Sequence, residues 1–275
     1  MRLQGKTALV PGASRPVGRA IARRFAAQGA GLVLPVHDWP DSNREMEDEF
    51  RQLGVPVVVM AADLRAGDEV ASLAAAVREK FGRLDFLINN IERGGMPVVH
   101  GSYDHPHNDG QWELEIATTL TAKWLLYHHC LPLLQASAGA AVVNISSVAG
   151  ITGRSGAAAL LFNDGYSAAN RAVSSFTETW AREAGPGVRV NELVLGLIQG
   201  RHGEGTRGWD TLTGGQRDEL MQRTILGRSG TPEEVAAAVW FLAVEAGYMT
   251  GAVLRLDGGF VLGGDRVPAM PPGIL

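Results

Sequence analysis

The sequence predicts an α/β fold, namely a single doubly wound domain in which a seven-stranded parallel sheet carries helices on both faces. Short, mostly apolar runs alternate with longer helical segments along the chain. Continuous apolar strands are typical of parallel sheets that are buried on both faces. No linker-like stretch, block of like charge or internal repeat breaks the alternation. We therefore expect one domain over residues 1–260 and a short C-terminal tail over residues 261–275.

The predicted elements follow from residue pattern and helix-capping signals. The strand candidates are Thr7–Val10, Leu32–Val36, Val55–Met60, Phe86–Ile88, Ala141–Ile145, Val188–Val194 and Val253–Leu256. The helical segments are Val17–Gln28, Arg44–Leu53, Glu69–Phe81, Gln111–Leu134, Ala159–Ala184 and Pro232–Val244. Ile21 and Phe25 share one face of the first helix. Thr231 followed by Pro232 and two glutamates is a typical helix start.

Composition and charge exclude several classes of protein. The formal net charge of −4 argues against a nucleic-acid-binding surface, which needs an excess of Lys and Arg. The single cysteine, Cys130, excludes a disulfide framework and a zinc site with several thiolates. No apolar run approaches the roughly 20 residues that span a bilayer, and the N-terminus lacks a signal-peptide pattern. We expect a cytoplasmic protein with no membrane or nucleic-acid partner.

A glycine loop (residues 11–18, Pro-Gly-Ala-Ser-Arg-Pro-Val-Gly) connects the first predicted strand to the first predicted helix. Small residues let a backbone approach a pyrophosphate, and a helix N-terminus supplies oriented N–H groups. A plain strand-to-helix turn is the alternative interpretation. The strand–helix–strand context favours a nucleotide site of the Rossmann type.

Further segments occur in an order that points to one enzyme family. They are Ala62–Leu64, Asn89–Glu92, Asn144–Gly150, Leu226–Val235, Thr250–Gly251 and Leu256–Gly259. With the glycine loop, they resemble the short-chain dehydrogenase/reductase family from about Lys6 to Phe260. In that family the loop usually reads Thr-Gly-x-x-x-Gly-Ile-Gly. Here Pro11 replaces the Thr and Pro16 the middle Gly, so one potential phosphate donor is missing.

The resemblance implies a nicotinamide dinucleotide as cofactor. An acid at the end of strand two favours NAD, whereas a nearby base favours the 2′-phosphate of NADP. Val36 occupies the acid position and Arg15 lies in the glycine loop, so we expect NADP(H) rather than NAD(H). Asp38 argues for NAD, and a solvated surface charge is the alternative role for Arg15. The expected cofactor contacts are Gly12, Ser14, Arg15, Val17, Gly18, His37, Asp63, Leu64, Asn90, Tyr166, Asn170, Gly196 and Ile198.

The resemblance also implies a reaction centre built on a tyrosine. Tyr166 fits the proton donor, and Ser147 fits the residue that holds the carbonyl oxygen. Family members carry a Lys one helical turn after the Tyr, where it lowers the Tyr pKa and binds the nicotinamide ribose. Asn170 occupies that position here, and Thr119 occupies the position of an Asn that holds a water to the Lys. A neutral amide stabilises a phenolate less than a cation does, so we expect slow chemistry unless another cation substitutes.

Three residues are candidates for the substitute cation. Lys123 lies one turn beyond Thr119 on the same helix face. Arg93 follows the Asn89–Glu92 segment, and Arg171 adjoins Asn170 but should point elsewhere. An ordinary solvated or interface charge is the alternative role for each of them.

Three loops are expected near the substrate. Residues 100–109 contain several potential metal ligands, but their spacing is loose, so we expect a polar loop and no metal. The stretch Arg154–Asp164 should line the substrate mouth. The Gly-rich segment Gln199–Gln222 suits a substrate lid. Within it, three apolar residues could close over a substrate or serve only in packing: Trp209, Leu212 and Met221.

Two functions from different classes remain open. The first is a NADP(H)-dependent oxidoreductase that reduces a small carbonyl compound or oxidises the alcohol through Ser147 and Tyr166. The alternative is a redox-weak or non-redox member of the same fold that binds a nucleotide or small ligand. By analogy with the family we expect a homo-oligomer, a dimer or a homotetramer, with the tail Val267–Leu275 at a subunit interface.

Overall fold

A computed structural model shows one seven-stranded parallel sheet with the strand order β3-β2-β1-β4-β5-β6-β7. The structure describes residues 2–91, 110–201, 203–204, 206, 209–265 and 267–273. Helices cover both faces of the sheet, so the predicted fold class is confirmed. The strand order reverses direction between β1 and β4, and ligands of such sheets bind beyond the carboxyl ends of the strands at this point.

The strands are β1 (Thr7–Leu9), β2 (Gly31–Val36), β3 (Val57–Ala61), β4 (Phe86–Asn89), β5 (Ala140–Ser147), β6 (Val188–Leu195) and β7 (Val253–Leu256). The α-helices are α1 (Pro16–Ala26), α2 (Pro40–Arg51), α3 (Gly67–Phe81), α4 (Gln111–Glu115), α5 (Ala122–Gln135), α6 (Ala149–Thr152), α7 (Asp164–Ala184), α8 (Gly214–Arg223) and α9 (Pro232–Trp240). Short 3₁₀ turns occur at Gly156–Leu160, Trp209–Thr211 and Phe260–Leu262. In the described part of the chain, no helix combines the length and apolar character needed to cross a bilayer.

The structure corrects two of the predicted helices and adds one within the expected lid. The predicted helix Gln111–Leu134 is interrupted, because a π-helical segment at Ile116–Thr121 separates α4 from α5. The helix predicted from Ala159 begins at Asp164, since Asn163 caps it. The expected lid contains a helix, α8, which begins with a capping box at Thr213.

Two apolar cores cover the two faces of the sheet. On one face α1 and α9 pack together, and Phe25 makes edge contacts with Phe86 and Trp240 at centroid distances of 5.3 and 5.8 Å. On the other face α3, α5 and α7 pack, and Tyr127 stacks on Trp180 at 4.1 Å. This second core packs α5 and the C-terminal half of α7 against the sheet.

The buried carboxylate of Asp85 links the segments that precede β1, β4 and β5 by hydrogen bonds. Asp85, which precedes β4, accepts hydrogen bonds from Lys6 Nζ at 2.7 Å, from the Thr7 amide at 2.9 Å and from the Ser137 hydroxyl. Burial alone would raise the pKa of Asp85, but the bonds from Lys6, Ser137 and Thr7 outweigh it and lower the pKa below the ordinary aspartate value.

We expect Asp85→Asn to lower the free energy of unfolding at pH 7 by about 2–3 kcal/mol, because it removes the charge that these buried donors face. The folded-state pKa is below the unfolded one. The stabilisation by the ionised Asp85 carboxylate is therefore complete above about pH 4, and it is lost as the pH falls through the folded-state pKa of Asp85. Urea denaturation from pH 7 to pH 2 measures the difference. The control is Asp41→Asn, since Asp41 pairs with Arg44 at an exposed site and should cost under about 0.5 kcal/mol. Equal effects of the two variants would contradict this account.

Candidate active site

The glycine loop forms a backbone cradle at the carboxyl end of β1. Gly12 has a φ of +68°, and a Cβ on it would lie 2.9 Å from the carbonyl oxygen of Asn90. A Cβ on Gly18 would lie 2.3 Å from the carbonyl oxygen of Gly12. The start of α1 and the end of β4 thus press directly on the loop. This close backbone packing at a helix N-terminus is the arrangement that binds a pyrophosphate, so the residues present fit a dinucleotide.

Pro16 is accommodated at the first position of α1. An N–H at this position has no partner within the helix, so its loss leaves the helix intact. A Cβ on Gly200 would lie 2.8 Å from Pro16 Cγ, so the proline ring packs against the segment that follows β6. Of the other predicted loop residues, Ser14 is half-buried, whereas the Val17 side chain is buried in the core. Only the backbone of Val17 is available to a ligand.

Charged residues gather where β2 and β3 end. The Arg15 guanidinium lies over the Trp39 ring, 5.0 Å from its centroid. Asp63 accepts two hydrogen bonds from Arg65, at 2.8 Å from Nε and 2.6 Å from Nη2, and these lower the pKa of Asp63 to about 2. Arg65 Nη2 also lies 3.3 Å from His37 Nε2. Sequence reasoning missed Arg65 and Trp39, although Arg65 lies only two residues beyond the predicted Asp63.

Arg201, which was not predicted as a site residue, connects the segment after β6 to the end of β4. Arg201 is buried, and its Nη1 lies 3.3 Å from Asn90 Oδ1. Asn90 Nδ2 donates to the Pro11 carbonyl at 3.2 Å, so Asn90 connects the glycine loop to Arg201. The predicted contacts Leu64 and Ile198 have buried side chains. Gly196 is in tight contact with Asp257, since a Cβ would lie 2.7 Å from Asp257 Cα.

Ser147 and Tyr166 are both buried at the next strand end. Ser147, the last residue of β5, is 2% exposed, and its Oγ accepts a bond from the Ala149 amide at 3.2 Å. Tyr166 lies in the first turn of α7 and is also 2% exposed. Its ring packs against Phe162 at 5.8 Å. Tyr166 shares an apolar cluster with Val148 and Ala149, which directly follow Ser147.

A buried polar cluster holds the start of α7. Asn163 Oδ1 caps the helix by accepting from the Tyr166 amide at 2.7 Å. Asn163 Nδ2 lies 3.2 Å from Gln111 Oε1 and 3.4 Å from Glu115 Oε1 on α4. These bonds position the turn that carries Tyr166. Sequence reasoning missed all three partners, although Asn directly before a helix is a recognisable capping signal.

The two altered family positions lie on facing elements. Asn170 is buried, and its Nδ2 donates to the Tyr166 carbonyl at 2.9 Å, one turn earlier in α7. Thr119 lies in the π segment, which packs against α7. Its hydroxyl has no hydrogen-bond partner among the described residues, but its backbone carbonyl accepts from Lys123 Nζ at 2.9 Å. Of the other candidate cations, Arg171 is exposed, and Arg93 lies outside the described residues together with the loop 100–109.

The expected lid residues are part of the packing in this structure. Trp209 and Leu212 are buried in the cluster that contains Tyr166 and Phe260. Met221 packs against the same cluster from α8. Trp209 and Met221 also line a cavity of about 610 Å³, whose lining includes neither Ser147 nor Tyr166.

The doubly wound sheet, with a glycine cradle at the point where the strand order reverses, is the fold of a Rossmann-type oxidoreductase. A family model described as "Enoyl-(Acyl carrier protein) reductase" matches residues 12–261. The chain belongs to the short-chain dehydrogenase/reductase family, whose members bind nicotinamide dinucleotides and act on small molecules. The resemblance stated from the sequence is thereby confirmed.

Individual relatives match over nearly their whole length. The 3-oxoacyl-[acyl-carrier-protein] reductase FabG of Thermotoga maritima is 32% identical over 270 residues, which cover 95% of this chain and 100% of the relative. The meso-2,3-butanediol dehydrogenase of Serratia marcescens is 34% identical over 263 residues, with coverages of 94% and 96%. A solved short-chain dehydrogenase/reductase from Serratia marcescens superposes with a TM-score of 0.79 at 27% identity, covering 95% of this chain and all of that one (100%).

Proposed function

We propose that this protein is a NADP(H)-dependent oxidoreductase that reduces a small carbonyl compound or oxidises the corresponding alcohol. The observation that carries the proposal is the burial of Ser147, at the carboxyl end of β5, and of Tyr166, in the first turn of α7. Two relatives support the substrate class by name, since one acts on a 3-oxoacyl group and the other on a diol.

The roles of the residues follow from their chemistry. A nicotinamide dinucleotide bound at the cradle supplies or accepts the hydride. The Ser147 hydroxyl donates a hydrogen bond to the carbonyl oxygen, where negative charge develops. The Tyr166 phenol donates its proton to that oxygen, and the apolar cluster around its ring keeps water away. We assign to the Asn170 amide, which lies one turn after Tyr166 on α7, a hydrogen bond to a ribose hydroxyl.

The test is NADPH oxidation by the purified protein with a panel of small ketones, followed at 340 nm. We expect turnover with at least one ketone, and faster turnover with NADPH than with NADH. Binding of neither dinucleotide would overturn the proposal.

The preference for NADP(H) is supported by the cations at the end of β2. Arg15 is held in the glycine loop by stacking on Trp39, and Arg65 lies beside His37. We expect Arg15→Ala to weaken NADPH binding about 10–100-fold and NADH binding under threefold, because one charge-assisted phosphate contact is lost. Fluorescence titration measures both affinities. Arg24→Ala is the matched control, since Arg24 lies on α1 and over the Trp240 ring at 5.5 Å. Equal losses for both dinucleotides would contradict a 2′-phosphate contact.

A second function is favoured by one observation, the neutral amide of Asn170 where a cation is usual. In this alternative the protein binds a nucleotide or small ligand with little or no redox turnover. Saturable NADPH binding without turnover across the ketone panel, unchanged by Tyr166→Phe, would support it.

We further propose a cytoplasmic homo-oligomer, a dimer or tetramer, that associates through α5 and α7. Trp124 on α5 is 44% exposed and stacks on His128 at 5.3 Å, which leaves an aromatic surface uncovered in one chain. Val267 and Met270 in the tail are also exposed, and we propose that residues 261–275 pack on a neighbouring subunit. Light scattering of the full chain measures the oligomeric state.

A further inference from the structure

Lys123 is a fully buried lysine on α5, directly after the π segment that packs against α7. It lies in the first turn of α5, and the whole residue is 1% exposed. Its Nζ donates to the backbone carbonyls of Ile91 and Thr119, the latter at 2.9 Å. Ile91 follows Asn90 at the end of β4. The ammonium group therefore lies at the carboxyl edge of the sheet, on the face that α5 and α7 cover.

The π segment supplies one of the two carbonyls that hold this ammonium. Its bonds skip one residue more than those of an α-helix, as in the bond from the Ala122 amide to the Ala117 carbonyl. The Thr119 carbonyl, which belongs to this segment, accepts a hydrogen bond from Lys123 Nζ at 2.9 Å. The segment itself packs against α7, the helix that carries Tyr166 and Asn170. A burial this complete is costly for a charge, and two carbonyl acceptors offset part of that cost.

The titratable groups around Lys123 include two buried glutamates, Glu192 and Glu115. Glu192 on β6 interacts electrostatically with Lys123, but burial raises the pKa of Glu192, and its carboxyl accepts a bond from Ser146. Glu115 on α4 is bonded to Asn163. On α7, Arg171 and Asp164 are exposed to solvent, which screens their charges.

We propose that Lys123 is a positioning residue that takes over the task of the missing cation at position 170, stabilising the phenolate form of Tyr166 from the adjoining helix. This inference rests on the proposed function, since it assigns a charge to the same site. A unit charge within about 8 Å in a partly buried site shifts a neighbouring ionisation by about one pKa unit or more.

The test is the ionisation of Tyr166 in the full-length protein without added cofactor, followed by NMR of ¹³C-labelled tyrosine. The chain has 4 tyrosines, and Tyr166→Phe assigns the signal. We expect wild-type Tyr166 to titrate below pH 10, and Lys123→Met to raise its pKa by about one unit or more. Lys123→Arg should keep most of the effect. The double variant Lys123→Met with Asn170→Lys should return the pKa toward the wild-type value.

A matched control separates the charge from the loss of a buried donor. Arg189 also donates to backbone carbonyls, those of Leu242, Ala243 and Ala246, at 2.7–3.0 Å. Arg189→Met should lower thermal stability without moving the Tyr166 titration.

An unchanged Tyr166 pKa in folded Lys123→Met would overturn the inference. Should that variant not fold, a wild-type Tyr166 that titrates at or above pH 10 would overturn it equally. The titration needs no turnover. An inactive wild type with a low Tyr166 pKa would therefore count against the proposed function alone.

Discussion

Replacement of Tyr166 by phenylalanine is expected to lower turnover with NADPH and a ketone about a thousandfold, while NADPH affinity stays within about threefold. A positioned proton donor contributes roughly 10²–10⁴ in rate, and the phenol has no hydroxyl substitute once it is removed. Phenylalanine keeps the ring that packs against Phe162 and the backbone amide that Asn163 caps. The fold of the site should therefore survive. Steady-state kinetics with a binding titration separates the two effects.

Tyr127→Phe is the matched control for this prediction. Tyr127 is also buried, and its hydroxyl bonds to Glu183 at 3.0 Å, on the outer part of α5 and α7. Losing that bond should change thermal stability but leave turnover within about twofold. A Tyr166→Phe variant that retained a tenth or more of wild-type turnover would show that another group delivers the proton.

The second large effect is expected at the glycine cradle. Gly18→Ala places a Cβ 2.3 Å from the Gly12 carbonyl oxygen and 2.9 Å from the Ala13 amide nitrogen, distances that real atoms do not tolerate. The loop must move away from α1, and the N–H groups aimed at a pyrophosphate move with it. We expect the affinity for NADPH and for NADH to fall at least a hundredfold each, because the pyrophosphate is common to both. Isothermal titration calorimetry measures this loss.

Gly214→Ala provides the comparison, since Gly214 begins α8 and has no atom within 4 Å of the added Cβ. It should bind both dinucleotides like the wild type. Dinucleotide affinity within fivefold of wild type in a folded Gly18→Ala protein would mean that the pyrophosphate does not bind at this loop.

The fold class was predictable because the buried strands of a parallel sheet can be recognised in the sequence as short apolar runs. Strands covered on both faces are mostly apolar, and each candidate run became a strand within two residues of its predicted ends. The break between α4 and α5 left no such pattern in the sequence. Directly after the break, Lys123 donates a tertiary hydrogen bond to the carbonyl of Ile91, 32 positions earlier, which no local pattern reports. Helix α8 begins with two glycines, which masked the capping signal of Thr213 and Gln216.

The candidate site shows the same division between local and long-range information. Ser147, Tyr166 and the glycine loop could be proposed as site residues from the sequence, because each belongs to a short segment that resembles a family motif. Arg201 could not, since its partner Asn90 lies 111 positions away in the sequence. The polar cluster of Asn163, Gln111 and Glu115 likewise joins positions about 50 apart, and only the folded chain brings them together.

The π segment at Ile116–Thr121 acts as a one-residue insertion in the continuous helix formed by α4, the segment itself and α5. Deleting a single residue there would restore an α-helix and rotate everything before it by about 100° relative to α5. Gln111 and Glu115 would then turn away from Asn163, while Lys123 would keep its place on α5. The π segment therefore sets the rotation of α4, which contacts Asn163, relative to α5, which carries Lys123. Sequences of relatives with and without this extra residue should be aligned separately before and after it.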